Sequence, residues 1–555
     1  MNFKMIPAAK RTELFGGTFD FDSLKIFTVG DGDSFTTALN TLLPDVKTEK
    51  ADSDNANVIL SVAYAFSGKA EYCSIRILAD HIEIHCCDKE GARNAACILA
   101  QVFINNRTRN SLPCGRIEDW PDASYRGMMI ESSRAWTPME RLYDMLRWMA
   151  LSRMNVMQFN FIEEPCCTIA LDCYPDWPGF GKENLKYTKD EVRDMIDYAD
   201  KLGISVCPFI EILSHAREFA RTADICCQGD TNPKSLYCVC IGQEKTYDAI
   251  EKVLKEVAEL FPDPVIHIGG DEYDMSAVNQ KTAYWDKCPH CQALAKKKGF
   301  TTLREQFLYA VNRINRIVNK LGKVSMLWNA DLKPTAIPDW FERNIIVHFY
   351  RDDNPLGREK IKGLTIDGYI EDGFSVLNSN YRPTYLDDYM RSNLLSHWGF
   401  ASDPKVAPEN MGGINGGCIC IWAGYDGHEH YKQTAAPGIF LFADRLWNSF
   451  STTTVYDEQY EKLLTTVMFE ARLPEGMNVF EVIGDVLAPT QDSKGNFHPI
   501  QVLATPEKIE EIEKALNELG NDPMAQAYAK TAREAAAYRR KTLASSLEKD
   551  VKFEG

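Results

Sequence analysis

Pro264-Val265-Ile266-His267-Ile268-Gly269-Gly270-Asp271-Glu272 is a short apolar run that stops at two glycines and two carboxylates. Val265, Ile266 and Ile268 read as a buried strand, and the glycines as its exit into a loop. A strand that delivers acids at its own C-terminal end is how a parallel (β/α)8 barrel builds a site. The two glycines carry no side-chain bulk, which lets a ligand approach the backbone closely. Neighbouring carboxylates repel, so a buried one tends to hold its proton at neutral pH. One ionised and one protonated carboxyl form a pair suited to cleaving an acetal. The competing reading is a solvated Asp-Glu turn.

Outward from this strand, the chain alternates short apolar runs with helical stretches, the pattern of βα units. Eight strands are predicted at 127–131, 156–161, 205–211, 265–269, 324–328, 345–349, 375–377 and 418–422. The first helix is expected to start with Thr137 as cap, Pro138 at the first helical position and Glu140 closing a capping box. Leu142, Met145, Leu146 and Met149 then form its apolar stripe. Eight units over residues 123–450 predict an α/β fold, a closed (β/α)8 TIM barrel. An open doubly wound sheet would carry a glycine-rich phosphate turn after its first strand, and Gly127-Met128-Met129 offers none.

Residues 1–122 predict a small α+β domain. Its features are a strand at 58–62, a hairpin at 73–85 turning at Ala79-Asp80, and a helix over 91–103. Residues 451–555 predict a C-terminal helical extension, with helices at 505–519 and 524–547 that pack on the barrel or on a second subunit, as in a homodimer.

A chain of 555 residues is too long for one core. Its net charge of −17 argues against nucleic acid or an anionic membrane as a partner. No run reaches the length needed to span a bilayer. Met1-Asn2-Phe3-Lys4-Met5 is followed by no apolar run, so no secretory leader is read there. The 17 cysteines are an odd number, which leaves at least one unpaired. Together these predict a cytoplasmic protein with reduced thiols.

The barrel region resembles glycoside hydrolase family 20, the β-N-acetylhexosaminidases, through several motifs in order. Arg126-Gly127-Met128-Met129-Ile130-Glu131-Ser132-Ser133-Arg134 looks like that family's first strand, Met154-Asn155-Val156 like its second, and Pro208-Phe209-Ile210-Glu211-Ile212-Leu213-Ser214-His215 like its third. The run from His267 to Glu272 matches its acid motif, and Trp328, Tyr385-Leu386-Asp387 and Trp422 fall where it places pocket residues. The segment before the barrel is similar to the family's non-catalytic domain.

The resemblance implies retaining hydrolysis in which the substrate's own 2-acetamido oxygen is the nucleophile. It makes Glu272 the general acid and base, with its pKa raised by burial and by a charged Asp271. It makes Asp271 the partner of the acetamido N–H, Tyr385 the donor to the acetamido oxygen, and His215 the group that tunes Glu272. The sugar-binding set it implies is Arg134, Trp328, Asp331, Trp422, Glu164 and His267. The implied substrate is an oligosaccharide or glycoconjugate with a terminal β-linked GlcNAc or GalNAc, and no cofactor is required.

The chain departs from the family's pattern at three places. The second strand ends Gln158-Phe159-Asn160-Phe161-Ile162-Glu163-Glu164 rather than in a His-rich stretch followed by two aspartates, which assigns the support of His215 to Glu164. His348-Phe349-Tyr350 stands where many relatives have tryptophan. Gly424 stands where the family often has a glutamate for the sugar's 4- and 6-hydroxyls, with Asp426 or Glu429 as substitutes and a 6-substituted sugar as a further substrate. Two other readings remain open: a retaining glycosidase for non-acetamido sugars with Glu163 or Glu164 as nucleophile, and a sugar-binding protein without turnover.

Cys288-Pro289-His290-Cys291 offers two of the four ligands that a structural zinc needs. Cys226, Cys227, Cys238 and Cys240 lie in the preceding loop region. One CxxC without a second at zinc-ribbon spacing is a weak metal signal, so reduced structural cysteines are the expectation and a structural zinc stapling two loops is the alternative.

Overall fold

The computed structural model of the protein describes residues 1, 3–106, 110–229, 238–275, 281–282, 284–329, 332, 337–352, 364–386, 398–402, 404–422, 429–449, 490–491 and 497–498. The predicted C-terminal helices lie outside the described residues.

Eight parallel strands form the barrel: Tyr125–Glu131, Val156–Glu163, Ser205–Ile210, Val265–His267, Val324–Trp328, Ile345–Phe349, Ser375–Asn378 and Ile414–Ile421. The ring closes because the first strand pairs on both sides. Cys418 of the last strand aligns with Gly127, and Gly127 aligns with Val156 of the second. An open sheet would leave two edges, so the doubly wound alternative is excluded. Strands covered by helices outside and by side chains inside are buried on both faces, which explains runs such as Met128-Met129-Ile130.

The helices between strands carry legible start signals. Thr188 and Glu191 form a capping box for helix Lys189–Lys201, and Thr302 and Glu305 do the same for Leu303–Lys320. The first barrel helix corrects the expectation. It runs Met139–Leu151 with Pro138 as its cap residue, and no side chain caps it. Thr137 is instead held outside the helix, where its carbonyl accepts a 2.5 Å bond from the Tyr187 hydroxyl. The stripe Leu142, Met145, Leu146 and Met149 is buried as expected.

The N-terminal domain is a seven-stranded mixed sheet among the described residues, with helices Asp33–Leu42 and Lys89–Asn106. Cys73–Ile77 and Ile82–Cys86 form the expected hairpin, with Leu78 N–H bonded to His81 O. Helix Lys89–Asn106 is buried on nearly every side from Gly91 to Ile104, because the sheet covers one face and the barrel helix Met139–Leu151 another.

Buried charge joins the two domains. Arg126 at the base of the first barrel strand donates to both Glu71 oxygens, at 2.9 and 2.6 Å. Trp447, at the end of helix Glu429–Trp447, donates to Asp119 at 2.7 Å, and Arg153 stands 3.4 Å from the same carboxylate. No helix among the described residues is long and apolar enough to cross a membrane.

Candidate active site

The C-terminal ends of the first four strands converge on His215. Glu163 closes the second strand, and its Oε1 lies 3.1 Å from His215 Nδ1. His215 Nε2 lies 3.4 Å from Glu272 Oε2 and 3.8 Å from Asp271 Oδ2. The Arg134 guanidinium pairs with Glu163 as well, so two cationic groups share one buried carboxylate. Glu131 fixes the turn that aims Arg134, because its Oε1 accepts the backbone N–H of Ser133 and of Arg134. Asp271 and Glu272 therefore point into one cluster. Glu272 is the more open of the two, with 29% of its side chain exposed.

The electrostatics differ from expectation. Burial pushes the Glu272 carboxyl up, but the hydrogen bond and charge of His215, then Arg351 and Arg134, outweigh it and hold it below the usual carboxylate range. Burial disfavours charge on His215, yet Asp271 and Glu272 outweigh that and raise it above the ordinary histidine value. The two shifts are opposed: the ionised form of Glu272 and the charged form of His215 favour each other, whereas a raised value was expected for Glu272. The group held neutral is a third acid, Glu211. Its full burial, reinforced by the negative charge of Asp271, pushes its carboxyl well above the usual range.

Glu211 also reassigns the glycines. A Cβ on Gly269 would fall 1.8 Å from Glu211 Oε2, and one on Gly270 would fall 2.5 Å from Leu327 Cδ1. Both glycines have left-handed backbones, with φ 65° and 87°. The bare backbone thus makes room for protein groups rather than for a ligand, and Gly270 N–H donates to Glu211 at 3.0 Å. Sequence reading passed over Glu211, although a carboxylate inside the apolar run Pro208-Phe209-Ile210-Glu211-Ile212 was the available signal.

An aromatic wall adjoins the cluster through Arg134. The Trp422 ring lies 5.9 Å from Tyr385 and 6.0 Å from Trp328, with the Arg134 guanidinium 5.4 Å away. Tyr350 runs parallel to Tyr385 at 6.5 Å. Trp422 and Tyr385 are partly exposed, whereas Trp328 is buried, stacked 4.1 Å from His348 beneath them. Tyr385 is placed by the last strand, through a bridge to Cys420.

Two expected sugar contacts are placed elsewhere. His267 is fully buried, with Nδ1 accepting Gly269 N–H at 3.0 Å and Nε2 3.1 Å from His348 Nδ1. Burial holds His348 at about 3 and drives His267 well below the ordinary value, so both rings are neutral parts of the floor. Glu164 turns away from His215 and pairs with Arg217 at 2.6 Å, so Glu163 takes the supporting position. The strand ends at Glu163, and Glu164 already lies in the turn that follows it. Asp331, Asp387, Gly424 and Asp426 lie outside the described residues, as does the side chain of Glu429. Arg351, absent from the expected set, stands close enough to influence Glu272.

The model of the glycosyl hydrolase family 20 catalytic domain matches residues 124–449, more than half of the chain. Beta-hexosaminidase subunit alpha of Mus musculus is 26% identical over 357 residues, covering 61% of this chain and 63% of that protein. Beta-hexosaminidase subunit beta of Homo sapiens is 26% identical over 374 residues, covering 62% of this chain and 60% of that protein. The chain thus spans less than two thirds of the length of these curated relatives. The β-N-acetylhexosaminidase of Bacteroides fragilis superposes with TM-score 0.72 at 20% identity, over 83% of this chain and 94% of that one. The Flavobacterium johnsoniae chitobiase gives 0.70 at 19% identity, over 98% and 93%. These structures share the fold, and the ordered motifs with the family match place the chain: it belongs to glycosyl hydrolase family 20.

Proposed function

We propose that the protein is a retaining, exo-acting β-N-acetylhexosaminidase that removes terminal β-linked GlcNAc or GalNAc by substrate-assisted hydrolysis. The observation that carries this reading is the convergence of Asp271, Glu272 and His215 in one cluster, which Arg134 joins to the partly exposed Trp422 and Tyr385.

Tyr385 donates to the acetamido oxygen and turns it toward the anomeric carbon, while Asp271 accepts the acetamido N–H and balances the growing positive charge. The oxygen forms a bond to the anomeric carbon as the glycosidic C–O bond breaks. The leaving oxygen takes a proton from Glu272, which is supplied through the hydrogen bond to His215. An oxazolinium results. Water then attacks the anomeric carbon and displaces the acetamido oxygen, so that the C–O bond of the oxazolinium breaks and the acetamide is restored; Glu272 accepts the water's proton, and the sugar leaves with its β configuration retained. Arg134 and Trp422 hold the ring, with Trp328 behind them.

The rival reading needs Glu163 or Glu164 as nucleophile. Glu163 is buried and bound by both His215 and Arg134, and Glu164 is paired with Arg217, so neither offers a free carboxylate to a sugar. The seventeen cysteines are thiols, most of them buried, which supports a reducing, cytoplasmic location.

A panel of chromogenic β-GlcNAc, β-GalNAc, 6-sulfo-GlcNAc and plain β-glucoside substrates tests the proposal. Cleavage confined to the acetamido sugars, with strong inhibition by a thiazoline mimic of the oxazoline, is expected. Comparable cleavage of the glucoside, or binding without turnover, overturns it.

A further inference from the structure

The structure gathers Cys227, Cys240, Cys288 and Cys291 into one buried knot whose four sulfurs all lie within 4.8 Å of one another. The sulfurs of Cys240 and Cys291 are 3.6 Å apart, those of Cys240 and Cys288 3.7 Å, and those of Cys227 and Cys291 4.0 Å. Four sulfurs around a tetrahedral zinc, each about 2.3 Å from the ion, stand roughly 3.8 Å from each other. A disulfide instead needs its sulfurs near 2.05 Å. Thiols serving only as small apolar residues pack against carbon and have no reason to converge on one point.

The surroundings suit thiolate ligands. Cys288 caps helix Pro289–Lys298, and Cys291 lies in its first turn, where the helix dipole favours negative charge. Gln243 Nε2 donates to Cys240 Sγ at 3.2 Å, and backbone N–H groups of Gly242, Gln228 and Cys291 address Cys240 and Cys288. Such N–H to sulfur bonds orient metal-bound thiolates. Gly242 is required, because a Cβ there would meet the His290 carbonyl at 2.3 Å. Cys226 and Cys238, equal candidates by spacing, are not part of the quartet.

We propose that these four cysteines bind one structural zinc ion, which staples the segment after His215 to the segment after Glu272. The two ligand pairs come from different loops. Val239, beside Cys240, donates to Leu213 O at 3.2 Å, two residues before His215. On the other side, Cys288 N–H bonds to Tyr284 O, and Trp285 donates to Val239 O at 2.8 Å. Trp285 also stacks on Tyr273 at 5.5 Å, the residue after Glu272. The ion is thus one short relay from both halves of the acid cluster. Binding displaces the thiol protons to solvent, and the ion stays four-coordinate and closed, with no open position for chemistry.

The test is metal analysis of the full-length protein purified without chelators, which does not depend on the hydrolase reading. One zinc per chain is expected, released in step with titration of thiols by an organomercurial. Cobalt(II) in its place should give the strong near-ultraviolet thiolate band and visible bands of a tetrahedral sulfur site. Cys291→Ser should lose both the zinc and the cobalt signature, whereas Cys173→Ser, which lies outside the quartet, keeps them. If Cys291→Ser does not fold, the cobalt spectrum of the unaltered protein decides alone. Substoichiometric zinc, iron in its place, or disulfides among the four overturn the assignment.

Discussion

His215 and Glu272 face each other across 3.4 Å, and each holds a left-handed backbone, with φ 47° and 54°. Left-handed conformations in residues other than glycine cost roughly 1–3 kcal/mol each and persist only where the surroundings enforce them. Here Glu163 anchors one ring nitrogen of His215 while the other addresses the acids. The hydrogen bond and charge between them lower the Glu272 carboxyl and raise the His215 ring.

Glu272→Gln removes the proton carrier while keeping the shape. Turnover of an unactivated disaccharide should fall by about 10²–10⁴-fold, with a smaller loss on an aryl glycoside whose leaving group needs no proton. Steady-state kinetics on the two substrates checks this, and equal losses on both would remove Glu272 from the acid role.

Asp271→Asn should cost about 10²–10³ in kcat, because the charge opposite the oxazolinium is gone. Single-turnover rates separate this chemical step from binding. An unchanged rate would assign the acetamido contact elsewhere.

The pH profile follows from the signs of the shifts. The folded pKa of His215 is raised, so its contribution to stability is full below about 6.5 and is lost as pH rises through the higher folded value. The folded pKa of Glu272 is lowered, so its contribution is full above its ordinary value and is lost as pH falls through the lower one. The alkaline limb of kcat/KM should accordingly lie above an ordinary histidine pKa. His215→Gln should abolish that limb as well as reduce the rate. A limb that persists in the variant belongs to another group.

Gly269→Ala places a methyl 1.8 Å from Glu211 Oε2 at φ 65°. A loss of about 2–4 kcal/mol in chemical denaturation, together with most activity, is expected. Glu211→Gln, which keeps the volume of a carboxyl whose neutral form burial favours, should be far milder. Equal damage from both would show that Glu211 works ionised.

Glu71→Ala strands the buried Arg126 guanidinium that Glu71 now satisfies at 2.9 and 2.6 Å. Stability should drop by about 3–5 kcal/mol, which is the penalty of an unpaired buried charge. Thermal unfolding reads the change. A negligible shift would mean that water reaches Arg126.

The barrel was legible because its signals are local. Apolar strands of few residues, the stripe Leu142, Met145, Leu146 and Met149, and carboxylates at a strand end each lie within a few turns or one strand. The same locality misled at Thr137, where a capping pattern is real in sequence but Tyr187, 50 residues away, draws the backbone off. Glu163 and Glu164 could not be told apart without knowing which side of the strand end faces the barrel axis. The glycines of the acid motif were recognised, yet what filled their space was Glu211, just past the third strand, at Gly269 and Leu327 of the fifth strand at Gly270.

From the chain alone came the alternation of strands and helices, the family's ordered motifs and the presence of two adjacent acids, because periodicity and composition act along the backbone. Tertiary structure alone decided which carboxyl is raised and which lowered, which glutamate supports His215 and which four of seventeen cysteines meet. Those outcomes depend on charge and sulfur atoms a few ångströms apart in space and tens of residues apart in sequence, and both Coulomb energy and ligand geometry are set by that separation in space.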